Sequence, residues 1–416
     1  MARSNADAKP IAEPIPGALW KAHLLDVNTI SVELNKLWAK FGTQTPQLRE
    51  HEESSESSGH AVSIQTRAST FNLIAVGRSA PDALRIDTTI RQLSDLYPSR
   101  TTILVSDPEH PTNGDPGLDV AVALLEQPAD KGRPAMRFES VTVRVNAERE
   151  QYLASIASPL LVIDLPDFLW WASDQVEGSA LFDDLLSVCD RLIVDSARFG
   201  DGADELRYLS KLVARGHEFP KLSDFAWSRL GPWRQLMSQF FDPPAARPIL
   251  GSLDMVTIWY SAKDGAETSG VTSAVLLAGW LSSRLNWLAP GELLPARDDA
   301  GGWRITMRTG EPSNRRELIL ALRPDSNRAL GPGIHRVKLQ ADGGESGSFE
   351  IWRLDSEELA SDSEFTGSAR VGRVIHAPIP PESELLAYEL RRYVRDTAYE
   401  AALADAARLA PISFED

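Results

Sequence analysis

Phe71-Asn72-Leu73-Ile74-Ala75-Val76-Gly77 is a short, nearly uninterrupted apolar run closed by a glycine. It reads as a strand buried on both faces. Toward the C-terminus, Ala83, Ile86, Ile90, Leu93 and Tyr97 recur at helical spacing, and residues 101–106 resume strand character. Strand, helix and strand in that order predict a βαβ unit, whose parallel strands need a right-handed crossover and helical cover. The segment predicts an α/β layer, Rossmann-like in its order of elements.

The same order repeats downstream. Residues 160–165 and 191–196 are apolar runs flanking a helical pattern at 180–189, and the alternating stretch 136–145 reads as a strand pairing antiparallel at an edge. Helices are expected near 205–213 and 233–241. Asp242-Pro243-Pro244 then breaks the pattern, because proline ends helices and restricts the residue before it. Upstream of the decisive run, Val27, Ile30, Leu34, Leu37, Trp38 and Phe41 share one helical face, with Asp26 available as an N-cap. The acidic, serine-rich stretch 51–60 has nothing apolar to bury and reads as a linker. The expected organisation is therefore a tail, helix and linker over 1–60, an α/β domain over 61–245, and a further domain over 246–416.

That last domain is expected to be α+β. Residues 254–261 read as a strand, and 271–288 as a helix apolar on most faces and hence buried. Strand candidates at 303–308, 318–322, 336–340 and 349–354, separated by Gly, Pro and Asp turns, predict a mainly antiparallel sheet. After Pro380-Pro381, residues 383–409 predict a C-terminal helix; about 27 residues at 1.5 Å each give roughly 40 Å. A helix that long either straps across its own domain or meets a partner, and the strap is the expected reading. The fold class is thus α/β followed by α+β with a long C-terminal helix.

Charge restricts the partners. With 43 basic and 59 acidic residues the formal charge is −16, which repels phosphate backbones and anionic lipid surfaces at long range, so neither nucleic acid nor membrane is an expected partner. Residues 1–16 lack the apolar core of a signal peptide, and no run of about 18 apolar residues follows, which predicts a cytoplasmic protein. Cys189 is the single cysteine, so no internal disulfide or Cys-rich metal cage can form. Its neighbours Leu185, Leu186, Val188 and Leu192 suggest a buried thiol acting as a small hydrophobe.

Reacting groups in a recognisable arrangement are scarce in the sequence. Gly77-Arg78-Ser79-Ala80-Pro81 follows a strand and precedes a helix, but it has one glycine where a dinucleotide site needs several, and Pro81 stands where a nucleophile elbow needs its final glycine. Ser79 is better read as a helix N-cap. The seven histidines never pair at the i, i+4 spacing of a helical metal site, and Asp183 and Asp184 diverge on their helix. No catalytic residue, cofactor or metal is therefore expected. The eleven tryptophans are more informative: Trp170, Trp171, Trp227, Trp233, Trp280 and Trp287 include several near Arg229, Arg234 and Arg284. Trp and Arg favour interface anchors, although most of these rings also suit a core. Trp170, Trp171, Arg229, Trp233, Arg234 and Arg284 are the candidates for a partner surface or the structure beneath it.

Several separated blocks carry a family resemblance. They are 71–76, Tyr97-Pro98-Ser99-Arg100, Asp164-Leu165-Pro166 with Trp170-Trp171, Phe182-Asp183-Asp184-Leu185-Leu186 through Cys189-Asp190-Arg191 to Asp195-Ser196, Trp227-Ser228-Arg229-Leu230, Pro232-Trp233-Arg234, Phe241-Asp242, and 277–285. In order and spacing they resemble the glucose-6-phosphate dehydrogenase assembly protein family, OpcA, over roughly residues 65–290. The resemblance implies a protein without enzymatic activity that binds glucose-6-phosphate dehydrogenase, assists its active oligomer and raises its activity as an allosteric effector, at the entry to the oxidative pentose phosphate pathway that supplies NADPH. Thioredoxin control through cysteine pairs, implied for cyanobacterial members, is chemically closed to a chain with Cys189 alone. An alternative from another class is a divergent α/β enzyme or a sugar-phosphate- or nucleotide-binding protein using Arg78 and Ser79.

Overall fold

The computed structural model describes residues 18–24, 28–42, 69–94, 99–110, 118–127, 136–200, 202–262, 270–298, 301–309, 315–342, 346–412 and 414. The expected N-cap Asp26, the 51–60 linker and Tyr97-Pro98 lie outside the described residues. The chain divides into two compact units, Met1–Ile74 with Arg78–Pro166, and Ala75–Gly77 with Asp167–Asp416.

The first unit holds β1 (Ala18–Leu24), α1 (Asn28–Gly42), the start of β2 (Asn72–Gly77), α2 (Ala80–Ser94), β3 (Arg100–Ser106), β4 (Leu118–Gln127), β5 (Met136–Val145) and α3 (Leu153–Ala157). Its strands lie in the order β1-β4-β5-β3-β2. The decisive run is a strand with every side chain buried, as the apolar sequence requires. The 136–145 stretch does pair antiparallel, with β4, but it also pairs parallel with β3 and so lies inside the sheet, where an edge was expected. The reason is β4, whose own alternation supplies the outer partner and which in turn pairs with β1. Helix α1 buries Ile30 and Leu34 completely or nearly so, and its Trp38 indole donates to Glu139 on β5 at 2.6 Å. Ser79 caps α2 as expected, accepting the Asp82 N–H at 3.2 Å.

The second unit continues with β6 (Asp167–Trp171), α4 (Ala180–Leu186), β7 (Arg191–Val194), α5 (Gly202–Val213), β8 (Lys221–Asp224), α6 (Phe225–Arg229) and α7 (Gly231–Phe240). Strands β6, β7 and β8 pair parallel. The strand expected at 160–165 is displaced: those residues form a turn in which Asp164 takes a positive φ of 68° and Ile163 is 86% exposed, and the strand begins after Pro166. Apolar content alone misled there, because Phe168, Leu169, Trp170 and Trp171 supply the buried face.

The remaining elements are β9 (Met255–Ser261), α8 (Gly270–Leu285), β10 (Leu294–Pro295), β11 (Trp303–Thr309), β12 (Arg316–Asp325), β13 (Ile334–Ala341), β14 (Gly347–Arg353), β15 (Glu358–Phe365), β16 (Val371–His376), α9 (Glu382–Leu390) and α10 (Thr397–Leu409). Their sheet runs β10-β11-β12-β9-β13-β14-β15-β16 and is antiparallel except where β12 meets β9. Helix α8 is buried on nearly every face, as its apolar sequence predicts. It meets α10 closely at Gly279, where an added Cβ would stand 2.3 Å from the Ala402 carbonyl oxygen and 2.6 Å from the Ala406 nitrogen. The helix expected over 383–409 is two helices. Between them the Val394 carbonyl accepts from Arg191, and Asp396 instead caps α10 by accepting the Tyr399 N–H at 3.0 Å.

Candidate functional site

Parallel strands in an open α/β sheet present their carboxyl ends to ligands, because loops and helix N-termini converge there. In the second unit those ends carry two acids. Val194 pairs with Asp224 across β7 and β8, so Asp195, one residue past β7, and Asp224, the last residue of β8, are neighbours. Both are buried, at 4% and 1% exposure.

Each acid is engaged within the protein. Arg229 of α6 donates both Nη atoms to Asp195 at 2.8 and 2.9 Å, a bidentate geometry that fixes the guanidinium plane. Burial disfavours the Arg229 charge, but Asp195, with Asp224 and Glu382 adding to it, outweighs burial and the guanidinium pKa is raised. Asp224 accepts from the Ser196 N–H at 3.0 Å, the Ser196 hydroxyl at 2.6 Å, the Ala226 N–H at 2.9 Å and the Tyr399 hydroxyl at 2.9 Å. The Ala226 contact makes Asp224 the N-cap of α6. Burial and the nearby Asp195 charge raise the Asp224 pKa to about 6 against the pull of those donors. Burial, together with the same carboxylate, pushes Tyr399 well above the ordinary phenol value.

Around this pair a second ring of contacts holds α9 and α10. The Trp227 indole donates to Asp396 at 2.9 Å, and Arg392 donates to the same oxygen at 2.9 Å. Burial opposes ionisation of Asp396, yet the Tyr399 N–H, Arg392 and Trp227 outweigh it and hold the carboxyl below its usual range. The Ser228 hydroxyl donates to the buried Glu389. Arg234 lies 3.4 Å over the Trp227 ring centroid, and burial lowers its pKa to about 10, with Arg284 close enough for its charge to add to the effect.

The expected candidates separate by depth. Trp170 and Trp171 are fully buried core residues, Trp170 packing on Phe225 and Trp171 edge-on against Phe182 at 5.0 Å between centroids. Trp233 is 2% exposed. Arg229 and Arg234 belong to the network just described, and Arg284 is exposed in the last turn of α8. Asp224, Glu389, Asp396 and Tyr399 were not singled out from sequence. Asp224 followed by Phe225 and Ala226 does carry a strand-end N-cap signal, but Tyr399 lies 175 residues away and no local spacing points to it.

The other sites weighed from sequence are also engaged. The Ser79 hydroxyl donates to Asp82 at 2.9 Å and Arg78 pairs with Glu150 at 3.1 Å. Cys189 is half-buried, and burial together with Asp190 and Asp167 pushes its pKa up to about 12, far from a reactive thiolate. Among the described residues no group of three or more His, Cys, Asp or Glu could hold a metal ion, and no helix is long and apolar enough to cross a membrane.

Comparison with known proteins places these residues in a family. A model described as the glucose-6-phosphate dehydrogenase subunit N-terminal domain matches residues 90–211, and one described as the C-terminal domain of the same subunit matches 220–403. The chain is 32% identical over 149 residues to a Synechocystis protein bearing the name OxPP cycle protein OpcA, covering 36% of this chain and 30% of that one. It is 26% identical over 283 residues to the protein of the same name in Synechococcus elongatus, covering 64% of this chain and 58% of that one. The match thus spans from under a third to somewhat over half of these relatives' length. A solved structure described as an oxidoreductase, YvaA of Bacillus subtilis, is similar at a TM-score of 0.43 and 10% identity, covering 81% of this chain and 96% of that one.

Proposed function

We propose a function from one premise: this chain belongs to the OpcA family of glucose-6-phosphate dehydrogenase subunits. It acts as a non-catalytic effector of the dehydrogenase in the oxidative pentose phosphate pathway, in the cytoplasm. It binds the enzyme, favours its active oligomer and raises its activity, and so the supply of NADPH.

The observation that carries this reading is the state of Asp195 and Asp224. These acids occupy the strand ends where an α/β enzyme offers its reacting groups, and here they are held by Arg229, Ser196, Ala226 and Tyr399. A network of this kind stiffens the scaffold and positions α9 and α10. The outward-facing residues then do the work by recognition, with Arg284 and the exposed part of Arg234 at the partner surface and Trp170, Trp171, Arg229 and Trp233 beneath it.

Activation by such a protein requires that the dehydrogenase have at least two states and that this chain bind the active one more tightly. Differential affinity is the whole mechanism, and it needs no cofactor on this chain. With one cysteine in the sequence, a dithiol switch within this chain is unavailable, so redox control of that kind resides in the dehydrogenase or is absent.

The test is to add the purified chain to its cognate dehydrogenase and follow oligomer mass together with the glucose 6-phosphate dependence of the rate. The reading expects a larger complex and a higher rate at limiting substrate. Unchanged mass and unchanged kinetics would remove its support.

A further inference from the structure

A cavity of about 300 Å³ lies in the second unit. Its walls include Trp233, the rigid rings of Pro332, Pro378 and Pro380, and Tyr388. That volume is at the small end of ligand pockets, which are mostly apolar with a few fixed polar groups. Here the fixed group is Arg353, the last residue of β14.

Arg353 is only 8% exposed, and no carboxylate among the described residues lies within ion-pair distance of it. Its Nη1 donates to the backbone carbonyls of Asp355 and Ala377, each at 3.2 Å, and more distantly to that of Ser356 at 3.5 Å, and its guanidinium lies 5.9 Å from the centre of the Trp233 ring. These contacts fix the guanidinium plane, while Nε and Nη2 make no hydrogen bond among the described residues. Burial accordingly lowers the Arg353 pKa, with Asp355 only partly offsetting it.

The other charged walls do not supply the missing partner. Arg229 also lines the cavity, but its charge is matched by the bidentate Asp195. Ser228 is engaged by Glu389. Glu384 sits at the exposed rim, where water screens it. A buried, pre-oriented guanidinium with no carboxylate in direct contact is costly unless an anion completes it, and a planar fork suits a carboxylate or phosphate.

We propose that this cavity binds a small organic anion, its carboxylate or phosphate seated on Arg353 and its apolar or ring portion packed against Trp233, Tyr388 and the prolines. The inference does not depend on association with the dehydrogenase, and a ligand here would be a further input to the chain.

The test is calorimetric titration of the full chain with phenyl phosphate, benzoate and the neutral phenol. Both anions are expected to bind one per chain and at least about tenfold more tightly than phenol, and the tighter of the two names the head group. Glu384→Gln, at the exposed rim, is expected to tighten both anions about twofold and leave phenol unchanged. Arg353→Met is expected to weaken both anions by about tenfold or more. Because Arg353 also holds three backbone carbonyls, a failure of that variant to fold leaves the anion-to-phenol ratio and Glu384→Gln to decide. Absence of saturable binding by both anions, or phenol binding as tightly as they do, overturns the proposal.

Discussion

The Tyr399 hydroxyl donates to the Asp224 carboxylate at 2.9 Å, joining the first turn of the last helix to the end of a buried parallel strand 175 residues earlier. Both side chains are essentially inaccessible to water. Removing one partner therefore leaves the other desolvated and less well satisfied, which is the expensive case. Tyr399→Phe keeps the ring against Trp227, 5.5 Å between centroids, and deletes only the donor. We expect it to lower unfolding stability by about 1–3 kcal/mol, read from the denaturant midpoint at constant slope.

Asp224 also sets a pH dependence with a definite sign. Its folded pKa of about 6 lies above the ordinary carboxylate value, so between about pH 4 and pH 6 the folded state keeps a proton that the unfolded chain has released. The stabilisation from this site is complete below about pH 4 and is lost as pH rises through about 6, by on the order of 3 kcal/mol. Subtracting the stability of Asp224→Asn from that of the wild type at pH 4, 5, 6 and 7 isolates the effect. The difference should fall across that range and level off above it.

Gly279 is required by the closeness of α8 to α10. A methyl group there meets the backbone of Ala402 and Ala406, which cannot rotate away as a flexible side chain would. Gly279→Ala is expected to destabilise the fold by about 1–3 kcal/mol, despite alanine's better helix propensity. Thermal or chemical unfolding measures it, and a stabilised variant would show that the two helices are further apart than described.

Depth separates the candidate interface residues experimentally. Arg284 is exposed and Trp170 is fully buried. Arg284→Glu should weaken binding to the dehydrogenase while changing stability by less than about 0.5 kcal/mol. Trp170→Ala should instead cost about 3–5 kcal/mol of stability, and weaken binding only as far as the fold is lost. Equal binding losses at matched folded fractions would contradict this assignment.

Much of the architecture was legible in the sequence because burial writes itself into residue pattern. The 71–76 run, the helical spacing after it and the largely apolar α8 are each determined by local composition, and each appears in the structure within a few residues. The failures have equally specific causes, one local and one that includes a distant contact. Residues 160–165 are apolar without being a strand, since Asp164 turns the chain at a positive φ before Pro166. The 383–409 helix breaks because contacts to Arg191 and the capping carboxylate of Asp396 compete with helical hydrogen bonding.

The candidate site was less legible, for a topological reason. Arg229 and Trp233 could be picked out as unusual neighbours, but their meaning depends on Asp195, Asp224, Asp396 and Tyr399, which arrive from separate strands and helices. Trp170 and Trp171 carry the same aromatic signal as a surface anchor, and the sheet places them in the core. Composition distinguishes neither case; only the path of the chain does.

The account depends on this chain preferring the active form of its partner. Linkage then requires glucose 6-phosphate, which the active form also binds, to tighten the chain's own attachment by the factor through which the chain tightens substrate, roughly 5- to 150-fold. The dissociation constant of the chain from its cognate dehydrogenase, measured with and without saturating glucose 6-phosphate, tests this most directly. A clear tightening is predicted; no binding, or the same constant in both conditions, would contradict it.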